Sequence, residues 1–190
     1  MKIKGPQTYR RLVADKPSTL SAEQMLRKLE QQVFTPLTEE NSTSFGWVSP
    51  EDPLECSVPH HLTFTGKLVT LQLRLDKWSL PSARVKAETQ KEMHAALAST
   101  GKEKLSKAEK DQIKENVVVR FRKASTPAMK TVSVVVDESS TVWVFSSTSV
   151  VVDAAQMLVE DALNIELVPT DVLVRAQEGG ADVTTYYEGL

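Results

Sequence analysis

The sequence is poor in the residues that build cross-linked or reactive sites. Its single cysteine, Cys56, excludes an internal disulfide and fits a reducing compartment. There are three histidines, His60 and His61 side by side and His94 far along the chain, and no second Cys or His cluster completes the spacing of a zinc site. The one glycine pair, Gly179-Gly180, lacks the lysine and the strand-to-helix context of a phosphate loop. No uninterrupted apolar run exceeds a few residues, so no segment reads as a membrane span. The N-terminal Met1 to Pro6 is charged and carries no signal-peptide core. Cys56, with His60 and His61 four and five residues on, is the nearest approach to a nucleophile with a base. No third group completes it, and a half-buried thiol near loop histidines is the plainer account. Glu160-Asp161 reads as solvated helix charge. The expectation is a soluble cytoplasmic protein that is not an enzyme, with no cofactor, metal, small-molecule substrate or membrane partner.

The 190 residues fit one domain, or one domain plus an extension, and are enough to bury a real core. The net charge of −2 hides a polarised chain. Residues 101–136 hold nine basic and four acidic groups, +5; residues 1–100 carry +2, and residues 137–190 carry −9. A basic segment beside an acidic one can attract nucleic acid locally while the whole remains soluble.

The basic segment belongs to a stretch, Leu80 to Lys123, that reads as two helices folded back on each other. Ser82, after Pro81, is a plausible N-cap, and Val85, Thr89, Met93 and Leu97 follow at helical spacing. Gly101 suits the C-cap. Ser106 and Glu109 make a capping box for the second helix, whose Ile113, Val117 and Phe121 share a face. The short linker favours an antiparallel pair.

Around this arm the chain alternates strands and helices. Ile3 to Val13 is a strand candidate. Ser21 and Gln24 form a capping box, and Leu20 with Met25 a hydrophobic staple. Met25, Leu29 and Val33 make a buried stripe, Lys28, Glu30 and Gln31 face water, and Pro36 ends the helix. Leu62 to Leu75 is the clearest β signal. Thr65-Gly66 is its hairpin-turn candidate, and Val69, Leu71, Leu73 and Leu75 alternate with Thr70, Gln72, Arg74 and Asp76 as a dry and a wet face. Thr131 to Val136 and Thr141 to Phe145 read as strands around an Asp137–Ser140 turn. Val150 to Leu163 reads as a helix burying Ala154, Leu158 and Ala162. Ile165 to Val168 and Val172 to Val174 are short strand candidates, and the stretch from Gln177 is loose unless Tyr186 and Tyr187 dock. The fold class expected is α+β, an antiparallel sheet backed by helices with a projecting helical hairpin. Residues 1–79 and 127–190 form the body and 80–126 the arm.

Several strings, in order and spacing, resemble the N-terminal part of the recombination-associated RdgC proteins of bacteria. They are Leu20 to Met25 with its spacing to Phe34-Thr35-Pro36; Gly46-Trp47-Val48-Ser49-Pro50; Leu80-Pro81-Ser82; and Lys104-Leu105-Ser106-Lys107 with Glu109-Lys110-Asp111. The resemblance runs from about Tyr9 to Pro169, and family members are usually longer than this chain. It implies a non-enzymatic, nucleoid-associated protein that forms ring-shaped homodimers and binds duplex DNA with little sequence preference through a basic inner surface. It also implies restraint of recombinase loading, and makes the helical arm the finger that closes the ring.

Two readings follow. In the first, Lys107, Lys110, Lys114, Arg120, Arg122 and Lys123 contact phosphates of duplex DNA, since cations without an aromatic platform suit backbone contact rather than base reading. Lys107, Lys110 and Lys114 have acids among them, whereas no acid accompanies Arg120, Arg122 and Lys123. In the second, the chain is a protein-interaction module in which Val117 and Phe121, or Met93 and Leu97, meet a partner's arm. Those apolar residues also suit simple packing of the two arm helices.

Overall fold

The computed structural model describes residues 8–14 and 16–170. The start of the strand expected from Ile3, the strand expected at Val172 to Val174, and the tail with Tyr186 and Tyr187 lie outside the described residues.

The fold is α+β. The strands are β1 (Arg10–Ala14), β2 (Thr43–Val48), β3 (Phe64–Thr65), β4 (Leu68–Lys77), β5 (Ala128–Val136), β6 (Thr141–Val144) and β7 (Leu167–Pro169). The helices are α1 (Ala22–Gln31), α2 (His60–Thr63), α3 (Ser82–Thr100), α4 (Lys107–Lys123) and α5 (Ser149–Leu163). The strands form one sheet in the order β2-β4-β5-β6-β1-β7, with β3 paired to β4. The β1–β6, β1–β7, β3–β4 and β5–β6 ladders are antiparallel. The register of β1 and β6 sets Leu12 opposite Val142, both buried.

The chain divides into two compact units. The first comprises the described residues of 1–35, 45–74 and 131–190. Its core gathers Leu12, Leu29, Phe34, Trp47, Leu71, Leu73, Val134, Val142, Val144, Ala155 and Val159, all 2% exposed or less. The α1 and α5 helices pack together here, tied by Lys28 Nζ to Asp161 O at 2.7 Å and Gln32 Nε2 to Asp161 Oδ2 at 2.6 Å. Lys28 is therefore half-buried rather than facing water. The Ser21–Gln24 capping box is present as expected.

The α1 helix stops at Gln31, well before Pro36. The backbone after it pairs with β2 instead: Phe34 N–H donates to Trp47 O at 2.8 Å and Trp47 N–H to Gln32 O at 3.0 Å. Val33 thus sits in a parallel bridge with Trp47, not on the helix stripe. That bridge needs a glycine at 46, because a Cβ there would lie 2.6 Å from both Phe34 Cα and Phe34 N.

The expected hairpin forms between β3 and β4, with Gly66 at φ +60°, a left-handed position that suits glycine. Residues 60–63 form a helical turn, so the strand starts at Phe64 rather than Leu62. Along β4 the expected wet face is covered: Thr70, Gln72 and Arg74 are half-buried and Asp76 is 3% exposed. Arg74 stacks over the Phe34 ring at 4.1 Å and donates to Pro53 O at 3.2 Å. The Asp137–Ser140 turn closes the β5–β6 hairpin, with Asp137 Oδ1 accepting from Thr141 N–H at 2.9 Å.

The second unit comprises Pro36–Ser44 and Leu75–Lys130. Its main feature is the antiparallel α3–α4 hairpin, inserted in the chain between β4 and β5. The α3 helix begins one residue earlier than the sequence suggests. Pro81 is its N-cap, its carbonyl accepting from Arg84 and Val85, and Ser82 becomes the first helical residue without a side-chain cap bond. Gly101 closes α3 at φ +65° with its N–H on Leu97 O. Ser106 caps α4 in a full capping box with Glu109.

Candidate nucleic-acid interface

The α4 helix carries all six cations singled out in the sequence, and successive residues on a helix turn by about 100°. Lys107, Lys110 and Lys114 therefore fall within a sector of about 60°. All three are exposed, and none forms an ion pair among the described residues. Lys104, in the turn before α4, lines a hollow of about 230 Å³ together with Lys110, Met93, His94 and Leu97. It extends the same cationic end and was missed by reading helix faces alone, since it lies outside any helix. Leu105 beside it is buried and anchors the turn.

The Ser106–Glu109 box organises this end. Glu109 Oε2 accepts from the Ser106 backbone N–H at 2.8 Å, and Glu109 Oε1 meets Lys102 Nζ at 2.6 Å. The Lys102 ammonium, then the Ser106 donors, hold the Glu109 carboxyl down at about 2. Lys102 is thus engaged internally, while Lys104, Lys107, Lys110 and Lys114 are not.

The other three cations diverge from that face. Arg120 Nη1 meets Glu92 Oε1 on α3 at 2.5 Å, with Glu88 Oε2 at 3.8 Å from Nη2. Arg122 is 11% exposed; its Nη1 donates to the carbonyls of Glu39 and Glu40, and Glu115 Oε1 lies 3.8 Å away. Its Nε is buried without a hydrogen-bond partner, a loss on the order of 1–3 kcal/mol. The expectation that no acid accompanies Arg120 and Arg122 is therefore corrected. Their acids come from α3 and from two turns back on α4, a spacing that a local count of neighbours overlooks. Lys123 is exposed but lies about 180° around the helix from Lys114. One straight duplex cannot touch all six at once.

Val117 is completely buried. It packs the interior and has no surface left for a second chain, so its place as a dimer contact is corrected. Phe121 is half-buried and lines a cleft of about 550 Å³ with Pro81, Arg84, Lys91, Glu92 and Ser125. The Arg84 guanidinium stands 5.8 Å above its ring.

Elsewhere, Cys56 is exposed, and His60 stacks on Phe64 at 4.9 Å. Among the described residues no group of three or more His, Cys, Asp or Glu is placed to hold a metal ion. Among them, no helix is long and apolar enough to cross a membrane.

The structure thus defines an α+β sheet protein with an inserted, basic-ended helical hairpin. A family model described as "Putative exonuclease, RdgC" matches residues 1–178, and the chain belongs to the RdgC family. Curated proteins named "Recombination-associated protein RdgC" from Salmonella paratyphi B, Salmonella newport and Salmonella typhimurium are each 31% identical to it over 100 residues. The matched stretch is 53% of this chain and 32% of each relative, so it spans about a third of their length.

Proposed function

We propose that this chain acts in DNA recombination as a homodimer that binds duplex DNA without reading its sequence, and that it does so without catalysis. The observation that carries the reading is the exposed set of Lys104, Lys107, Lys110 and Lys114 at one end of the hairpin, uncommitted to internal carboxylates. Such a set offers point charges to phosphates and no bidentate fork or aromatic face for bases. The recombination-associated names of the relatives support the same process. Lys123 would meet phosphate only from another side. Arg120 and Arg122, bound up in the hairpin, act on DNA only through the shape of the arm.

The test is fluorescence anisotropy of the full chain with labelled duplexes of unrelated sequence across a salt series. Affinities alike for all duplexes, falling steeply with salt, are expected. Undetectable or salt-insensitive binding contradicts the reading. Incubating the chain with linear duplex and magnesium tests the absence of catalysis: the duplex stays intact, and released nucleotides would overturn that part.

A second reading, an assembly module that has lost DNA binding, is favoured by Phe121. Its half-buried ring in an open cleft leaves apolar surface for a second copy. Sedimentation of Phe121→Ala separates the two. A folded monomer from a dimeric parent supports the assembly role, and an unchanged dimer removes Phe121 from the interface.

A further inference from the structure

Five consecutive backbone carbonyls, from Thr38 to Ser42, are each held by one of two residues at the ends of the helical hairpin. Trp78, four residues before α3, donates its indole N–H to Thr38 O at 3.4 Å and Asn41 O at 3.0 Å. Its backbone N–H donates to Ser42 O at 3.4 Å. Arg122, one residue from the end of α4, takes the two carbonyls between, Glu39 O and Glu40 O, the latter at 3.3 Å. The segment has neither helix nor strand at these positions, so its carbonyls have no ladder of their own. Asn41 Nδ2 adds a brace to Thr38 Oγ1 at 3.4 Å.

We infer that Trp78 and Arg122 form a clamp that straps residues 38–42 across the two ends of the hairpin, and that Arg122 is a positioning residue of the arm. One terminal nitrogen, Nη1, serves two successive carbonyls at the tip of a rigid, planar guanidinium, and a lysine ammonium, one bond shorter on a flexible stem, does not reproduce that placement. Trp78 precedes the first helix and Arg122 closes the second, so one loop ties entry to exit. The side chains of Glu39 and Glu40 remain exposed while their carbonyls are occupied. The clamp does not rest on the DNA reading and stands or falls by itself.

The loop supplies its own probe, because a glutamate-specific protease cuts after Glu39 or Glu40 only when the strap lifts. Glu103, exposed in the turn between α3 and α4, is the internal control. Two variants of the full chain are compared with the parent: Arg122→Lys, which keeps the charge and loses the reach of the guanidinium, and Trp78→Phe, which keeps an aromatic ring and loses the N–H. Each is expected to raise the initial rate of cleavage at Glu39 and Glu40 about five- to tenfold, the population shift that losing one or two hydrogen bonds produces, with the rate at Glu103 unchanged. Unchanged loop cleavage in both variants overturns the clamp. So does an equal rise at Glu103, which would report general unfolding instead of release of the strap.

Discussion

Arg120 on α4 and Glu92 on α3 form an ion pair at 2.5 Å that joins the two helices of the arm. The pair is partly exposed on both sides, so water screens it and its contribution stays below about 1 kcal/mol. Its consequence is for charge: the guanidinium already has an internal carboxylate. Arg120→Gln is expected to lower the midpoint of thermal unfolding only slightly and to leave the salt dependence of duplex binding unchanged. Calorimetry and a salt series check the two halves. A marked loss of salt dependence would return Arg120 to the phosphate contacts.

Gly46 makes a sharper prediction. A methyl at this position meets the Phe34 backbone rather than a flexible side-chain tip. Backbone cannot step aside without breaking the Val33–Trp47 bridge. Gly46→Ala is expected to destabilise the fold by about 1–3 kcal/mol or more, as overpacking does, read by denaturant unfolding. A neutral effect would show that the bridge is looser than its hydrogen bonds indicate.

Acid should act on the start of α4. The Glu109 carboxyl is held at about 2, below an ordinary value of 4.5, by Lys102 first and Ser106 second. A depressed carboxyl contributes stability that is fully present above the ordinary value and is lost as pH falls through the lowered one. The capping box therefore persists from neutral pH to below 4.5 and opens towards pH 2. The Ser106 amide resonance should titrate with a midpoint near 2, and a midpoint near 4.5 would show that neither the Lys102 contact nor the Ser106 hydrogen bonds hold the carboxylate in solution. Glu109→Gln keeps a capping residue at this position and should abolish that titration.

Much of the fold was legible because local signals agreed with the tertiary outcome. Both capping boxes, at Ser21–Gln24 and Ser106–Glu109, are written within four residues and appear as such. The left-handed sites at Gly66 and Gly101 follow from backbone permissiveness. What sequence did not show depends on partners distant along the chain. The end of α1 is set by pairing with Trp47, and the cover over Arg74 by Phe34 and Pro53, 40 and 21 residues away. In the candidate site the same division holds. Lys107, Lys110 and Lys114 share a face by helical period alone. The fate of Arg120 depends on Glu92, 28 residues away, and that of Arg122 on Glu39 and Glu40, more than 80 residues away. Unpaired in sequence is not unpaired in space.

On the proposed reading the lysine face of α4 contacts phosphate while the half-buried Arg122 does not. The direct measurement is the slope of log affinity for duplex DNA against log salt, compared between the parent, the Lys107→Gln/Lys110→Gln/Lys114→Gln variant and Arg122→Gln. The triple variant is expected to lose about 0.9 of slope for each lysine in contact, and Arg122→Gln to keep the parent slope even if its affinity falls. A triple variant with the parent's slope, or a drop confined to Arg122→Gln, would contradict it.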